Sequence, residues 1–365
     1  MSDNRTSMEV CTVASTQNGT GSQQPQASPM ASVVSMSVGI MSNMLALIIL
    51  LKSYRRFRLK TKASFLLFAS GLVMTNFLGH LINGALVLHV YRAGIDENDP
   101  HGHALCNVFG ACMVFFGLSP LLLGSAMAVE RCFGVTRPLF HAATLTSRRM
   151  KKLLGLVWLL AATVALLPIP ARRYHVQHSR SWCFFRQEGA QDWLDVFLPL
   201  LFSGMGLLSL SVSILCNMVT GVTLLRSKIR NGRYRKGTSH HLEMVCQLLA
   251  IMLVSCICWA PFLVTLIIRS IRVQDQRACG QMLLAVRMAT WNQILDPWVY
   301  ILLRRAVMKK LFILTQRCCS PRLQRFYKWN CSTFKDSMQA SNPPHCVTLV
   351  TTALPRTTIN PVPCT

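Results

Sequence analysis

Carboxylates are scarce in this chain. Aspartate and glutamate together number 13 in 365 residues, and charged residues of both signs make up only 14%. A soluble protein of this length needs a more polar surface. The shortage also leaves no paired carboxylates and no nucleophile–base arrangement on which an enzyme could be built. His240, His241, Cys246, Cys256 and Cys258 superficially resemble metal ligands. Cys256 and Cys258, however, are two apart on a helix and point in different directions, so neither a metal nor a cofactor is expected. Residues 1–29 lack the basic start and apolar core of a cleaved signal, which leaves the first apolar segment to act as the targeting signal. No internal repeat is evident and deep ionisable residues are few, which argues against an ion-coupled transporter; a carrier of organic anions remains a distant alternative.

Apolar residues, by contrast, make up 52% of the chain. They come in blocks of roughly 20 or more, the length needed to cross about 30 Å of hydrocarbon at about 1.5 Å per residue. Spans are predicted near 30–51, 63–91, 104–129, 153–170, 194–225, 242–268 and 281–303. The fourth is short and ends at Pro168 and Pro170. The expected fold is an all-α membrane protein, a seven-helix bundle over 30–303 with a short amphipathic helix after the last span. Residues 304–317 supply that helix: Val307, Met308, Leu311 and Phe312 form a stripe opposite Lys309 and Lys310. Residues 318–365 have little periodicity and read as a disordered tail.

The formal charge is +25, and its distribution decides its meaning. The links after spans one, three and five carry Lys52, Arg55 and Arg56, then Arg148, Arg149 and Lys151, then Arg226, Lys228 and Arg230. The tail opens with Arg304 and Arg305. Basic loops mark the cytoplasmic side, so the N-terminus is predicted outside and the C-terminus inside, as a multi-pass protein of the plasma membrane. Aromatics are not interleaved with the bases as a nucleic-acid surface requires. Asn4 and Asn18 begin glycosylation sequons on the predicted outer side. Asn330 begins another on the inner side and is expected to stay unmodified. Cys318 and Cys319, just past the surface helix, are candidates for palmitoylation.

Four of the 15 cysteines fall on the predicted exterior: Cys11, Cys106, Cys183 and Cys279. A bridge from Cys106 to Cys183 would staple the loop between spans four and five over the bundle, and Cys11 with Cys279 could form a second. Spacing alone does not assign the connectivity. That loop partly alternates apolar and polar residues over 174–178 and 181–185, which fits a hairpin lid. Its Arg172, Arg173, Arg180 and Arg186 are either a solvated basic surface or a means of drawing in an anion.

Arg287 lies within the apolar run 282–290, about 9 Å below the outer boundary at 1.5 Å per residue. A guanidinium at that depth is expensive and is usually kept for a partner or ligand; it could snorkel to the interface instead. Tyr91 and Ser181 could add hydrogen bonds, Tyr91 being equally suited to an interfacial aromatic belt. Asp296 is the only carboxylate deep in any span. It precedes Pro297, with Asn43 and Asn76 at similar depth, and reads either as structural glue or as a conformational switch. Pro261 would kink span six, and Glu130 with Arg131 closes span three.

Taken together, Asn43, Glu130-Arg-Cys132, Trp158, Cys258-Trp-Ala-Pro261 and Asp296-Pro-Trp-Val-Tyr300 resemble the class A, rhodopsin-like receptors that act through G proteins. Gly117-Leu-Ser-Pro-Leu-Leu-Leu-Gly124, Ser181-Trp-Cys-Phe184 and Trp291-Asn-Gln-Ile-Leu-Asp-Pro-Trp298 resemble the prostanoid family within that class. Arg287-Met-Ala-Thr-Trp291 and Gly79-His-Leu-Ile-Asn-Gly84 look like its prostaglandin F branch, whereas Met113-Val-Phe-Phe-Gly-Leu118 leans toward the calcium-mobilising branch for prostaglandin E.

The resemblance implies a Cys106–Cys183 bridge and a prostaglandin carboxylate on Arg287, assisted by Tyr91, Ser181 and Trp182, with Met113, Phe116 and Trp291 as lining. It implies Glu130, Arg131, Trp259, Pro261, Asn76, Asp296 and Tyr300 as switch and coupling residues. The implied partners are a Gq-class G protein, with arrestin and receptor kinases after activation, and membrane lipid around the spans. Asn76 departs from the aspartate usual in the class, and a neutral amide cannot balance a sodium ion as a carboxylate does.

Overall fold

The computed structural model describes residues 29–57, 63–95, 99–144, 146–177, 180–186, 192–230, 238–271 and 279–302. Seven long helices and one short one account for most of them. They are α1 (Pro29–Phe57), α2 (Ala63–Ala93), α3 (Pro100–Thr136), the short α4 (Pro138–Thr144), α5 (Ser147–Leu166), α6 (Trp193–Arg230), α7 (Thr238–Ile271) and α8 (Cys279–Leu302). The seven long helices occupy the seven predicted spans.

Among the described residues, five helices are long and apolar enough to cross a membrane by composition alone: α1, α2, α3, α6 and α7. The other two carry charge. α5 opens with Arg148, Arg149, Lys151 and Lys152, and α8 holds Arg287 and Asp296. The fourth span also sits nearer the N-terminus than the expected 153–170. Its helix is capped at Leu167, whose N–H donates to the Thr163 carbonyl at 3.0 Å, and Pro168 prevents regular continuation.

The packing is inside out relative to a soluble protein. Large apolar side chains such as Leu45, Ile48, Leu159, Leu208, Leu215 and Ile257 are exposed on the bundle's outer face. Asn43, Asn76, Ser119, Asn292 and Asp296 are buried within it. Hydrocarbon is as apolar as leucine, so apolar side chains tolerate the outside, whereas polar groups need partners inside. α3 is the central column: it packs on α2, α5 and α6 and on the loop over one end, while α8 closes the ring against α1 and α7.

That loop forms a two-stranded lid. β1 (Tyr174–Val176) pairs antiparallel with β2 (Cys183–Phe185), with Tyr174 opposite Phe185 and Val176 opposite Cys183. The Cys106–Cys183 disulfide ties β2 to the first turns of α3 across 77 residues of chain. All three residues of β2 are buried. Phe184 meets Phe202 of α6 and Phe262 of α7 with ring centroids 5.6 and 5.7 Å apart. Tyr174 stacks on Phe185 at 5.6 Å and donates its hydroxyl to the Ala165 carbonyl at 2.7 Å. Burial pushes the pKa of this phenol up, so it remains a donor.

Gly110 is what allows Tyr174 to lie flat against α3. A Cβ at position 110 would sit 2.3 Å from the tyrosine Cδ1. Gly110→Ala is expected to destabilise the protein by about 1–3 kcal/mol through overpacking, read as a lower thermal midpoint in detergent. An unchanged midpoint would show that this contact does not anchor the lid.

Candidate functional site

Beneath the lid lies a cavity of about 530 Å³, walled by α1, α2, α3, α6, α7, α8 and the segment around β2. Six of the seven side chains expected to hold or line a ligand face it: Arg287 and Trp291 from α8, Tyr91 from α2, Met113 from α3, and Ser181 and Trp182 from the lid. They come from four parts of the chain as many as 200 residues apart in sequence. α8 brings Arg287 and Trp291 into register because residues four apart share a helix face.

Most of the wall is apolar, supplied by residues such as Val87, Phe184, Phe202, Phe262 and Val286. Against that wall the Arg287 guanidinium stands out: its Nη2 is buried and has no hydrogen-bond partner among the described residues. The side chain therefore does not lie wholly among lipid headgroups, as snorkelling would require. Trp291, 45% exposed, reaches the outer face of the bundle as well as the cavity.

The cavity also contains polar residues that the sequence reading did not single out as ligand contacts. His80, Asn83 and Gln293 all line it. His80 is almost fully buried; its Nδ1 lies 3.5 Å from the Met36 sulfur, and it fits because position 39 is glycine, where a Cβ would come within 2.5 Å of the imidazole. The available signal was a histidine and an asparagine three residues apart inside an apolar span, at helical spacing. Phe116, by contrast, does not line the cavity. It turns toward α2, where Gly79 leaves room for its ring, and makes an edge contact with Phe115.

At the cavity floor, Trp259 of α7 is buried against Gly117 of α3, with Phe262 one turn away. Below it the buried polar groups form cross-helix ties. Asn43 donates to the Gln293 carbonyl at 3.1 Å, Gln293 Nε2 donates to the Phe116 carbonyl at 2.8 Å, and Asn292 donates to Asp296 at 3.1 Å. Asn292 and Asp296 border a second, small cavity of about 40 Å³ beside Pro120 and Asn217. Trp158 of α5 donates to Thr75 of α2 at 3.1 Å. At the far end of α3, Glu130 is buried with His141 of α4 at 3.1 Å, and Arg131 Nε lies 3.9 Å from the same carboxylate. Pro261 lies within α7. Tyr300 lies on α8, but its side chain is outside the described residues, as are the side chain of Cys279 and all of Cys11, Asn4, Asn18, Cys318, Cys319 and the 304–317 segment.

Arg173 does not point into open solvent to gather anions. Its Nη1 donates to both oxygens of Asp195, at 3.1 and 3.3 Å, and its Nη2 donates to Asp192. The hydrogen bond to Asp192, with the charge of Asp195 behind it, pushes the guanidinium pKa further up. This pair clamps the lid to the first turn of α6, where acidic groups are also favoured by the helix dipole.

Comparison with known proteins agrees with this arrangement. Residues 42–300 match the family model described as 7 transmembrane receptor (rhodopsin family). The chain belongs to that family. Its relatives include receptors named for prostaglandins. The human prostaglandin F2-alpha receptor is 55% identical over 313 residues, covering 85% of this chain and 87% of the relative. The rat prostaglandin F2-alpha receptor is 54% identical, covering 85% and 86%. The dog prostaglandin E2 receptor EP1 subtype is 41% identical, covering 80% and 83%. The chain is thus a multi-pass membrane receptor rather than an enzyme, and the disulfide, the lid and the cavity lie at one end of its helix bundle.

Breaking the clamp on that end has a calculable cost. The Asp195 side chain is only 1% exposed, so Arg173→Met leaves a buried carboxylate without its main partner. The expected loss is about 1–3 kcal/mol, reduced from the fully buried case because Arg173 itself reaches solvent. The receptor's thermal midpoint measures it, and Arg173→Met/Asp195→Asn should recover part of the loss. A double variant no more stable than the single one would deny the pairing.

Proposed function

We propose that this receptor binds prostaglandin F2-alpha in the cavity under the lid. On this reading it signals from the plasma membrane, N-terminus outside, through a Gq-class G protein to phospholipase C and calcium release. The observation that carries the reading is Arg287. A guanidinium nitrogen buried on an apolar wall with no hydrogen-bond partner among the described residues is costly, and a fatty-acid-derived ligand offers what it needs: one carboxylate for a bidentate pair and an apolar chain for the surrounding surface. Tyr91 and Ser181 supply hydroxyls beside the carboxylate. Met113, Trp182 and Trp291 pack against the chain. The higher identity to receptors named for prostaglandin F2-alpha supports the F ligand over the E ligand, which stands as the second reading on the strength of the EP1-subtype relatives.

Signal transfer follows the polar ties below the cavity. Ligand contact with Trp259 and the kink at Pro261 would bias α7, and Asp296 with Asn76 would reset the packing beneath it. The Glu130–Arg131 end of α3 then faces the G protein, with Tyr300 as a further switch residue. Arrestin and receptor kinases act afterwards on the tail. Glycans on Asn4 and Asn18, palmitate on Cys318 and Cys319, and a Cys11–Cys279 bridge complete the assignment.

A calcium assay in transfected cells against prostaglandins F, E and D and a thromboxane mimic tests the ligand; the strongest response is expected from F, and a stronger response to E would promote the second reading. Arg287→Ala should keep surface expression and lose about 2–4 kcal/mol of agonist binding, roughly 30- to 700-fold in potency for the free acid. Potency within a few-fold of the parent would sink the carboxylate assignment.

A further inference from the structure

Two prolines inside the bundle each leave a carbonyl without its helical donor, and one residue stands at both. Pro120 has no amide hydrogen, so the Phe116 carbonyl, four residues earlier on α3, loses its intrahelical bond. Pro297 does the same to the carbonyl of Gln293 on α8. In hydrocarbon no solvent is at hand to repair such losses, and another helix must do so.

Gln293 joins both repairs. Its side-chain Nε2 donates to the Phe116 carbonyl at 2.8 Å, and its own freed carbonyl accepts from Asn43 Nδ2 of α1 at 3.1 Å. Gln293 also lines the ligand cavity, almost two turns of α8 beyond Arg287. Around the α3 end of this tie the packing is tight. A Cβ at Gly79 would meet the Phe116 ring at 3.2 Å, and one at Gly117 would meet Trp259 at 3.3 Å. The Phe116 carbonyl therefore has little room to shift without carrying α3 with it.

We propose that Gln293 is a positioning residue for signalling: it couples the ligand-bearing stretch of α8 to α3 through the carbonyl that Pro120 frees, so that it sets how far agonist occupancy is converted into response. The inference rests on the agonist-receptor reading above and takes the side of α8 nearest the floor as the route by which ligand contact reaches α3. Pro120 removes the intrahelical donor that would otherwise compete for the Phe116 carbonyl, so that carbonyl depends on Gln293. Pro297 leaves the Gln293 carbonyl to Asn43, which ties the same residue to α1.

The chemistry supplies a discriminating test. Gln293→Leu removes the donor and leaves the Phe116 carbonyl buried and unpaired, which lowers the thermal midpoint. Pro120→Ala returns an amide hydrogen at position 120, so the double variant satisfies that carbonyl within α3 and regains stability while the tie to α8 stays broken. Each variant is measured at full length, by thermal unfolding of the purified receptor, by radioligand binding, and by calcium response to the strongest agonist of the prostanoid panel. Gln293→Leu is expected to lose about fivefold or more in the coupling of occupancy to response, with responses compared at matched agonist occupancy so that any change in Kd is taken out. The double variant should recover the midpoint and not the response. Recovery of both together would reduce Gln293 to structural support and overturn the proposal. So would an unchanged response in Gln293→Leu, or a double variant that stays as unstable as Gln293→Leu alone. A panel led by prostaglandin E rather than F would overturn the ligand assignment and leave this test intact, because the measurement uses whichever agonist is strongest.

Discussion

Hydrocarbon offers no hydrogen bonds, and the whole molecule is arranged around that fact. Every backbone amide in the membrane must find its partner inside a helix, or on a neighbouring helix where the helix itself fails. The seven long helices meet most of this demand locally. Their exterior can then be leucine, isoleucine and methionine, while asparagine, glutamine and aspartate turn inward. Prolines reopen the demand at four interior positions, 120, 199, 261 and 297. At two of these the replacement donors come from other helices. The ties that hold α1, α3 and α8 together at the cavity floor are thus a direct consequence of where proline sits.

The lid end obeys different rules because it is built largely from side chains rather than from span backbone. β1 and β2 are three residues each, far too short to be stable alone. They persist because the Cys106–Cys183 bridge, the Tyr174–Ala165 bond and the Arg173–Asp195 pair fix them to α3, α5 and α6 in turn. Three anchors of three chemical kinds hold one small sheet over the cavity. Ser181 and Trp182 take their places in the wall only because of them.

The sequence made some of this legible and hid the rest for definite reasons. Spans are readable because length and apolar content report directly on bilayer thickness, and all seven were where the runs are. The fourth helix starts at Ser147, before the expected span, because a helix can carry the basic residues at 148–152 past the interface, and it ends at Leu166 ahead of Pro168. Arg287 was legible because a charge in an apolar run has few explanations. Gln293 and His80 were not, since a neutral polar side chain in a span is as often glue as contact, and only the partner decides. Arg173 was grouped with three other loop arginines, as solvated surface or as a means of drawing in an anion, and neither reading included an ion pair. Its partners, Asp192 and Asp195, lie about twenty residues on, and nothing in the local pattern announces them.

The division between charge and shape bears on selectivity. Prostaglandins of the F and E types share the carboxylate, so on the proposed assignment the Arg287 guanidinium would choose the class of ligand but not the member. Discrimination has to come from groups that meet the ring, where one hydroxyl or carbonyl changes the hydrogen-bond demand. In a mostly apolar cavity such a mismatch is punished strongly when it leaves a buried protein polar group unpaired, and weakly when it merely alters contact area. His80 and Asn83 are buried polar groups on the cavity wall. Both have side-chain atoms, Nε2 and Oδ1, without a hydrogen-bond partner among the described residues. On the proposed ligand assignment, the choice among ligands would therefore fall less to Arg287 than to His80 and Asn83, whose place on the cavity wall appears only once the helices are assembled.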